Sequence, residues 1–170
     1  MIEVVIRESW VEYAKKNYSG DRYNQNTILP AGRGQFAGII GECAVGRYFL
    51  DYGIDFEYEA RESYQYDFDL SGYKIDVKSK FSVGVPKPDY VVRIPHYQKR
   101  QQCDIYIFTY VTESRVWILG WMDKSDFWFS SESTKAGDNR SGIEEKADCN
   151  FIEISALKPM QDLELKFIPF

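Results

Sequence analysis

Histidine and cysteine are scarce in this chain. His96 is the only histidine in 170 residues, and Cys43, Cys103 and Cys149 are odd in number and far apart. A multi-histidine metal centre is therefore excluded. With no Cys-x-x-Cys pair, a zinc knuckle and a disulfide framework are disfavoured, and the unpaired cysteines fit a reducing cytoplasm. No run of 18 apolar residues offers a membrane span. The opening MIEVVIRESW has an acidic third residue and too short an apolar stretch for a secretory leader. The glycines of GRGQ, 32–35, are not followed by Gly-Lys-Ser/Thr, so that loop is no phosphate loop. Internal repeats and low-complexity tracts are missing.

Aromatic residues are plentiful: thirteen tyrosines, eleven phenylalanines and four tryptophans. They can bury much surface in a small domain, and this length suits one complete core, a single domain over 1–170. The net charge is −5, which argues against a generally basic protein that coats nucleic acid. The charge is unevenly spread. Residues 71–100 hold seven Lys/Arg and two Asp/Glu, a local +5 that leaves −10 for the remainder. A basic middle in an acidic chain suits a local anionic ligand better than a membrane surface.

The pattern predicts a short amphipathic helix over 6–17, a polar loop over 20–34, and a helix over 36–50 stopped by Gly53. Strands are expected in IDFEYEA, SYQYDFDL, YKIDVKSKFSV, DYVVRIP, CDIYIFTYV, RVWILGWM and NFIEISAL, with PHYQKRQQ helical and KSDFWF one helical turn. Residues 130–150 read as a long, poorly ordered loop. The order implies an α+β fold with a central mixed or antiparallel β-sheet flanked by helices.

The stretch YDFDLSGYKIDVKSK, 66–80, crowds charges among alternating apolar residues. A two-residue turn at Ser71-Gly72 sets Leu70 opposite Tyr73, Phe68 opposite Ile75 and Tyr66 opposite Val77, a coherent apolar face. The other face pairs Asp69 with Lys74, an ordinary cross-strand ion pair, and Asp67 with Asp76. Opposed carboxylates repel unless a proton or cation sits between them. A hard divalent cation with oxygen ligands is the usual remedy, and Mg²⁺ takes one or two carboxylates and leaves its other positions to water and phosphate. Lys78, two residues from Asp76, stands on the same face, able to orient an attacking water or hold a phosphate oxygen. A Gly72-Tyr73 turn instead sets Asp69 opposite Asp76, so the first aspartate is Asp67 or Asp69. On this reading Asp76→Asn relieves a repulsion and costs no stability.

Glu42 is a lone charge in an apolar helix with glycines at 38, 41 and 46. Each glycine costs roughly 1 kcal/mol of helix stability relative to alanine, which implies close backbone approach to something. Lys80, on the face of Lys78, and Arg93, Gln98, Lys99 and Arg100 are candidates for tracking a nucleic-acid backbone. Trp117, Trp121 and Trp128, at strand-like spacing, read as core.

Asp67, then Asp76-Val77-Lys78 nine residues on, with GECA in an upstream helix, resemble the PD-(D/E)XK nuclease superfamily, especially its small phage-type members. The resemblance covers roughly 36–122, and Tyr66 stands where the family's proline is found. It implies a restriction-endonuclease-like core with catalytic residues Glu42, Asp67, Asp76 and Lys78. It also implies a Mg²⁺ site, open to Mn²⁺, made by Glu42, Asp67, Asp76 and the Val77 carbonyl. Two other acid-x-Lys tripeptides, Glu144-Glu145-Lys146 and Glu164-Leu165-Lys166, lack the upstream hairpin and helix. The expected function is Mg²⁺-dependent hydrolysis of DNA phosphodiester bonds. The alternatives are a non-catalytic nucleic-acid-binding or assembly protein that retains the fold, and a Holliday junction resolvase acting as a homodimer.

Overall fold

The computed structural model describes residues 1–17, 33–58, 65–140, 143–144 and 147–167. Strand β1 (Ile2–Val5) leads into helix α1 (Glu8–Asn17), and helix α2 (Arg33–Asp51) is followed by β2 (Glu57–Tyr58). Then come β3 (Phe68–Leu70), β4 (Tyr73–Phe81), β5 (Val91–Pro95), β6 (Ile105–Val111) and β7 (Arg115–Asp123). Helix α3 (Lys124–Ser130), strands β8 (Glu132–Thr134), β9 (Asn139–Arg140), β10 (Ile143–Glu144) and β11 (Cys149–Glu153), and helix α4 (Met160–Phe167) complete the order. The polar loop expected at 20–34 lies outside the described residues, except for its last two positions, which already belong to α2.

The large sheet has six strands in the order β1-β7-β6-β4-β3-β2. It is mixed, as expected. β4 runs parallel to β6, and its other pairings are antiparallel. A parallel neighbour needs a crossover, and residues 82–104 supply it by leaving the sheet, forming β5, and returning through a short 3-10 turn at His96–Arg100. Alternation along β4 separates two cores. Ile75 and Val77 pack with Val45 and Phe49 of α2 and Leu163 of α4. On the opposite face Tyr106, Phe108 and Tyr110 of β6 pack with Val92 and Ile94 of β5 and Phe127 of α3. β5 belongs to a three-stranded sheet, β5-β11-β8. The large sheet is thus flanked by α1, α2 and α4 on one side, and by a second sheet with α3 on the other.

Two local features have clear sequence causes. Ser71 and Gly72 carry φ of 53° and 91°, the pair of left-handed residues that a type I′ hairpin turn requires. Gly41 lies where α2 presses on the sheet. A β-carbon there would collide with Ser79 Oγ and stand 2.6 Å from Thr109 Oγ1, two hydroxyls joined by a 2.8 Å hydrogen bond. The close approach expected of the α2 glycines is real at Gly41. Gly38 has only Glu42 Oε1 at 3.9 Å.

The PHYQKRQQ segment is helical as expected, in the 3-10 form, over His96–Arg100. One expectation needs correction. The stretch 130–150 is no single loop, since β8 pairs with β11, and Asp148 accepts hydrogen bonds from Lys135 Nζ and the Ala136 N–H, each at 3.0 Å. Polar composition hid strands whose backbone finds partners far away in sequence. Strand β1 was also missed, because a four-residue edge strand gives too short a period to read.

Candidate active site

The β3–β4 hairpin closes in the expected register, with Leu70 opposite Tyr73, Asp69 opposite Lys74 and Phe68 opposite Ile75. There the regular ladder ends. The Asp67 N–H also reaches the Ile75 carbonyl, at 2.8 Å, so residues 67 and 68 both stand against Ile75, as in a β-bulge. One extra residue changes the parity of everything before it. Tyr66 does not join Phe68 and Val77 on their face; it packs against the opposite core, with Tyr106 and Phe108. The Tyr66–Val77 and Asp67–Asp76 ladder pairs expected from the sequence do not form. Instead the Asp67 side chain takes the slot, and its Oδ2 accepts the Val77 N–H at 2.6 Å.

The displacement still brings the carboxylates together. Asp67 is held well above the usual carboxylate range, first by burial, then by the negative charges of Glu42 and Asp76; the Val77 N–H and the Lys78 ammonium oppose that shift. Asp76 is 5% exposed. Its side chain points toward the β5 side of the sheet, in register with Tyr106, whereas Glu42 comes from α2 on the other side. Asp67 is where the two approaches meet. Asp69 lies apart from this group: it faces the turn, and its Oδ1 accepts the Gly72 N–H at 2.7 Å. Nor does Lys74 behave as the expected simple partner of Asp69. Its ammonium lies 4.9 Å from the ring centre of Tyr66.

Lys78 forms an ion pair with Asp76 Oδ2, without the alignment of a hydrogen bond. Its Nζ donates to Gln101 Oε1 at 2.7 Å and sits 5.6 Å from the ring centre of Tyr106. Around this pair the surroundings are dry. Burial, then the Asp76 charge, pushes the Cys103 thiol up to about 12. Burial likewise raises Tyr106, whose hydroxyl accepts from Trp128 Nε1 at 3.2 Å. On the helix side, Glu42 Oε2 accepts the Tyr58 hydroxyl at 2.8 Å, and Tyr58 rests on Phe68 with ring centres 5.4 Å apart.

Of the four catalytic candidates, Asp76 and Lys78 touch, and Asp67 feels the charges of Glu42, Asp76 and Lys78, that of Glu42 most. Val77 contributes through its backbone. In a strand, one residue's N–H and C=O point to the same neighbour. Its N–H meets Asp67, so its carbonyl also faces the gap that the bulge opens. The donors suit a hard cation, since all are oxygens; Asp76 Oδ2, buried and without a hydrogen bond, already has the Lys78 ammonium beside it. Among the described residues no three His, Cys, Asp or Glu side chains form a ready cage, but Mg²⁺ needs only one or two carboxylates beside water and phosphate. Lys80 is exposed, with its Nζ 5.3 Å from the Tyr110 ring centre. Lys99 lies over Trp128 at 5.4 Å. Gln101, Tyr58 and Tyr106 had no sequence signal. They arrive from the crossover, an edge strand and a parallel neighbour. Trp121 and Trp117 pack in the cores, as expected.

No helix among the described residues is long and apolar enough to cross a membrane. No family model, curated protein or solved structure matches this chain.

Proposed function

We propose that this protein is a Mg²⁺-dependent nuclease of the PD-(D/E)XK kind that hydrolyses DNA phosphodiester bonds. One observation carries the reading: Asp76, buried on β4, is paired with the partly buried Lys78 beside it, and a second carboxylate, Asp67, bonds the backbone between them. A solvated edge strand has no reason to sequester like charges in this way, since each buried charge is costly without a partner. Support also comes from the order of elements, in which a helix bearing Glu42 precedes a hairpin whose second strand lies parallel to β6.

The division of labour follows from the positions. Asp67, Asp76 and the Val77 carbonyl hold the metal, with Glu42 tightening its side of the site. Bound there, Mg²⁺ supplies charge neutralisation at the phosphate and a more acidic water. Lys78, paired with Asp76, holds the attacking water or a non-bridging phosphate oxygen on the β5 side of the sheet. Burial around Cys103 and Tyr106 excludes bulk water and so strengthens these interactions. Lys80 lies two residues further along the same face, in position to meet the next phosphate.

The test is cleavage of plasmid, linear and branched DNA with Mg²⁺, with Mn²⁺ and with EDTA. Metal-dependent cleavage that is lost in Lys78→Ala supports the reading. DNA binding without cleavage under every metal condition replaces it with a non-catalytic binder, and cleavage confined to branched DNA narrows it to a junction resolvase.

A further inference from the structure

We propose that Gln101 is the positioning residue of Lys78: its side-chain carbonyl holds the ammonium in place when Asp76 turns to other work. This inference rests on the nuclease reading, because it assigns the support of that site's lysine. In the structure Lys78 touches three groups: the Asp76 carboxylate, Gln101 Oε1 at 2.7 Å, and the Tyr106 ring. Asp76 is also a proposed metal ligand, and an oxygen committed to a cation no longer fixes an ammonium. The ring face constrains distance and gives little direction. Among the described residues, Gln101 supplies the remaining directional acceptor for the ammonium.

The backbone at this position is held from several sides. The Gln101 N–H donates to the Gln98 carbonyl at 3.1 Å, the Gln101 carbonyl accepts from the Lys124 ammonium, and the next N–H, of Gln102, donates to Gln65 Oε1 at 3.0 Å. None of these contacts uses the Gln101 side chain. The glutamine is therefore presented from a backbone held at several points.

Two variants separate positioning from folding. Gln101→Met keeps length and removes the acceptor, whereas Gln101→Glu keeps an acceptor at the same reach. Gln101→Met is expected to lower kcat for DNA cleavage by about 10²-fold, the cost of a misplaced catalytic group, with KM unchanged, and Gln101→Glu to restore most of that loss. Isotope-labelled lysine gives a reading that needs no activity. The Lys78 side-chain resonances, displaced by the Tyr106 ring, should move toward those of solvated lysines in Gln101→Met and stay in Gln101→Glu. Unmoved Lys78 resonances in Gln101→Met, or a loss confined to KM, overturn the proposal. If the wild-type protein cleaves no DNA, the nuclease reading fails, and the resonances still decide whether Gln101 holds Lys78.

Discussion

Two tripeptides in this chain share the pattern acid-x-lysine and have opposite fates. In Asp76-Val77-Lys78, on β4, both charged side chains leave the same face and meet in a partly buried ion pair. In Glu164-Leu165-Lys166, on α4, they diverge. Glu164 accepts the hydroxyl hydrogen bond of Tyr48 on α2, while Lys166 lies 4.5 Å from the Tyr73 ring centre and 3.8 Å from Asp123 Oδ1. The middle residue is 7% exposed at Val77 and 67% exposed at Leu165. Two residues apart means one face on a strand and nearly opposite faces on a helix. The same pattern makes one ion pair in one place and two separate anchors in the other. The third tripeptide adds nothing, since only Glu144 of its three residues is described.

The sharpest way to break this comparison is activity. Lys78→Ala should lower kcat for DNA cleavage by about 10²–10⁴-fold, the usual worth of a positioned proton-handling group. Lys166→Ala should leave kcat unchanged. Equal effects in a Mg²⁺ cleavage assay would mean that strand geometry confers nothing on 76–78.

Stability gives the next contrast, and here the structure reverses the expectation drawn from opposed carboxylates. Asp76 is paired with Lys78, so Asp76→Asn leaves a partly buried ammonium without its counter-charge. It should cost about 3 kcal/mol in chemical denaturation. Glu164→Ala removes one partly buried hydrogen bond and should cost about 1 kcal/mol. An Asp76→Asn variant as stable as wild type would show that the two aspartates repel each other more than Asp76 attracts Lys78.

The helix that brings Glu42 to the site depends on a bare backbone at Gly41. Gly41→Ala should destabilise by about 1–3 kcal/mol through overpacking against Ser79 and Thr109. Gly38→Ala, with open space around it, should stabilise by roughly 0.5–1 kcal/mol. Thermal melts of the pair compare a position pressed on the sheet with one that is not.

The subtlest difference is in pH. Asp67 titrates in the folded state above its ordinary value of 3.8. The folded state therefore holds that proton more tightly than the unfolded chain does. Asp67's contribution to the stability of the metal-free protein should be largest below that ordinary value and be lost as pH rises from it through the raised value. Asp67→Asn, whose side-chain carbonyl can still accept the Val77 N–H, should flatten this dependence. Mg²⁺ should raise the melting temperature of wild type by binding the folded state, and do so much less in the variant. Identical pH profiles and Mg²⁺ responses would mean that Asp67 feels no crowding of charge.

Period and turn chemistry were legible in the residues themselves. The Ser71-Gly72 turn, the register from Leu70–Tyr73 to Phe68–Ile75, the shared face of Asp76 and Lys78, and the close approach of the glycine-bearing helix are local consequences of side-chain alternation and of glycine's missing β-carbon. The mixed sheet flanked by helices was legible for the same reason. The bulge at Asp67 was not. A single extra residue has no periodic signature, yet it reversed the parity of Tyr66 and delivered a carboxylate to the Val77 N–H in place of a ladder partner. Nor could the sequence show that Lys78 already holds Asp76, or that Gln101, 23 positions away, completes its surroundings. Those contacts depend on where the crossover between β4 and β6 lands. That landing is set by the packing of β5 and α3 on the far face of the sheet, a balance of long-range contacts that no local pattern encodes.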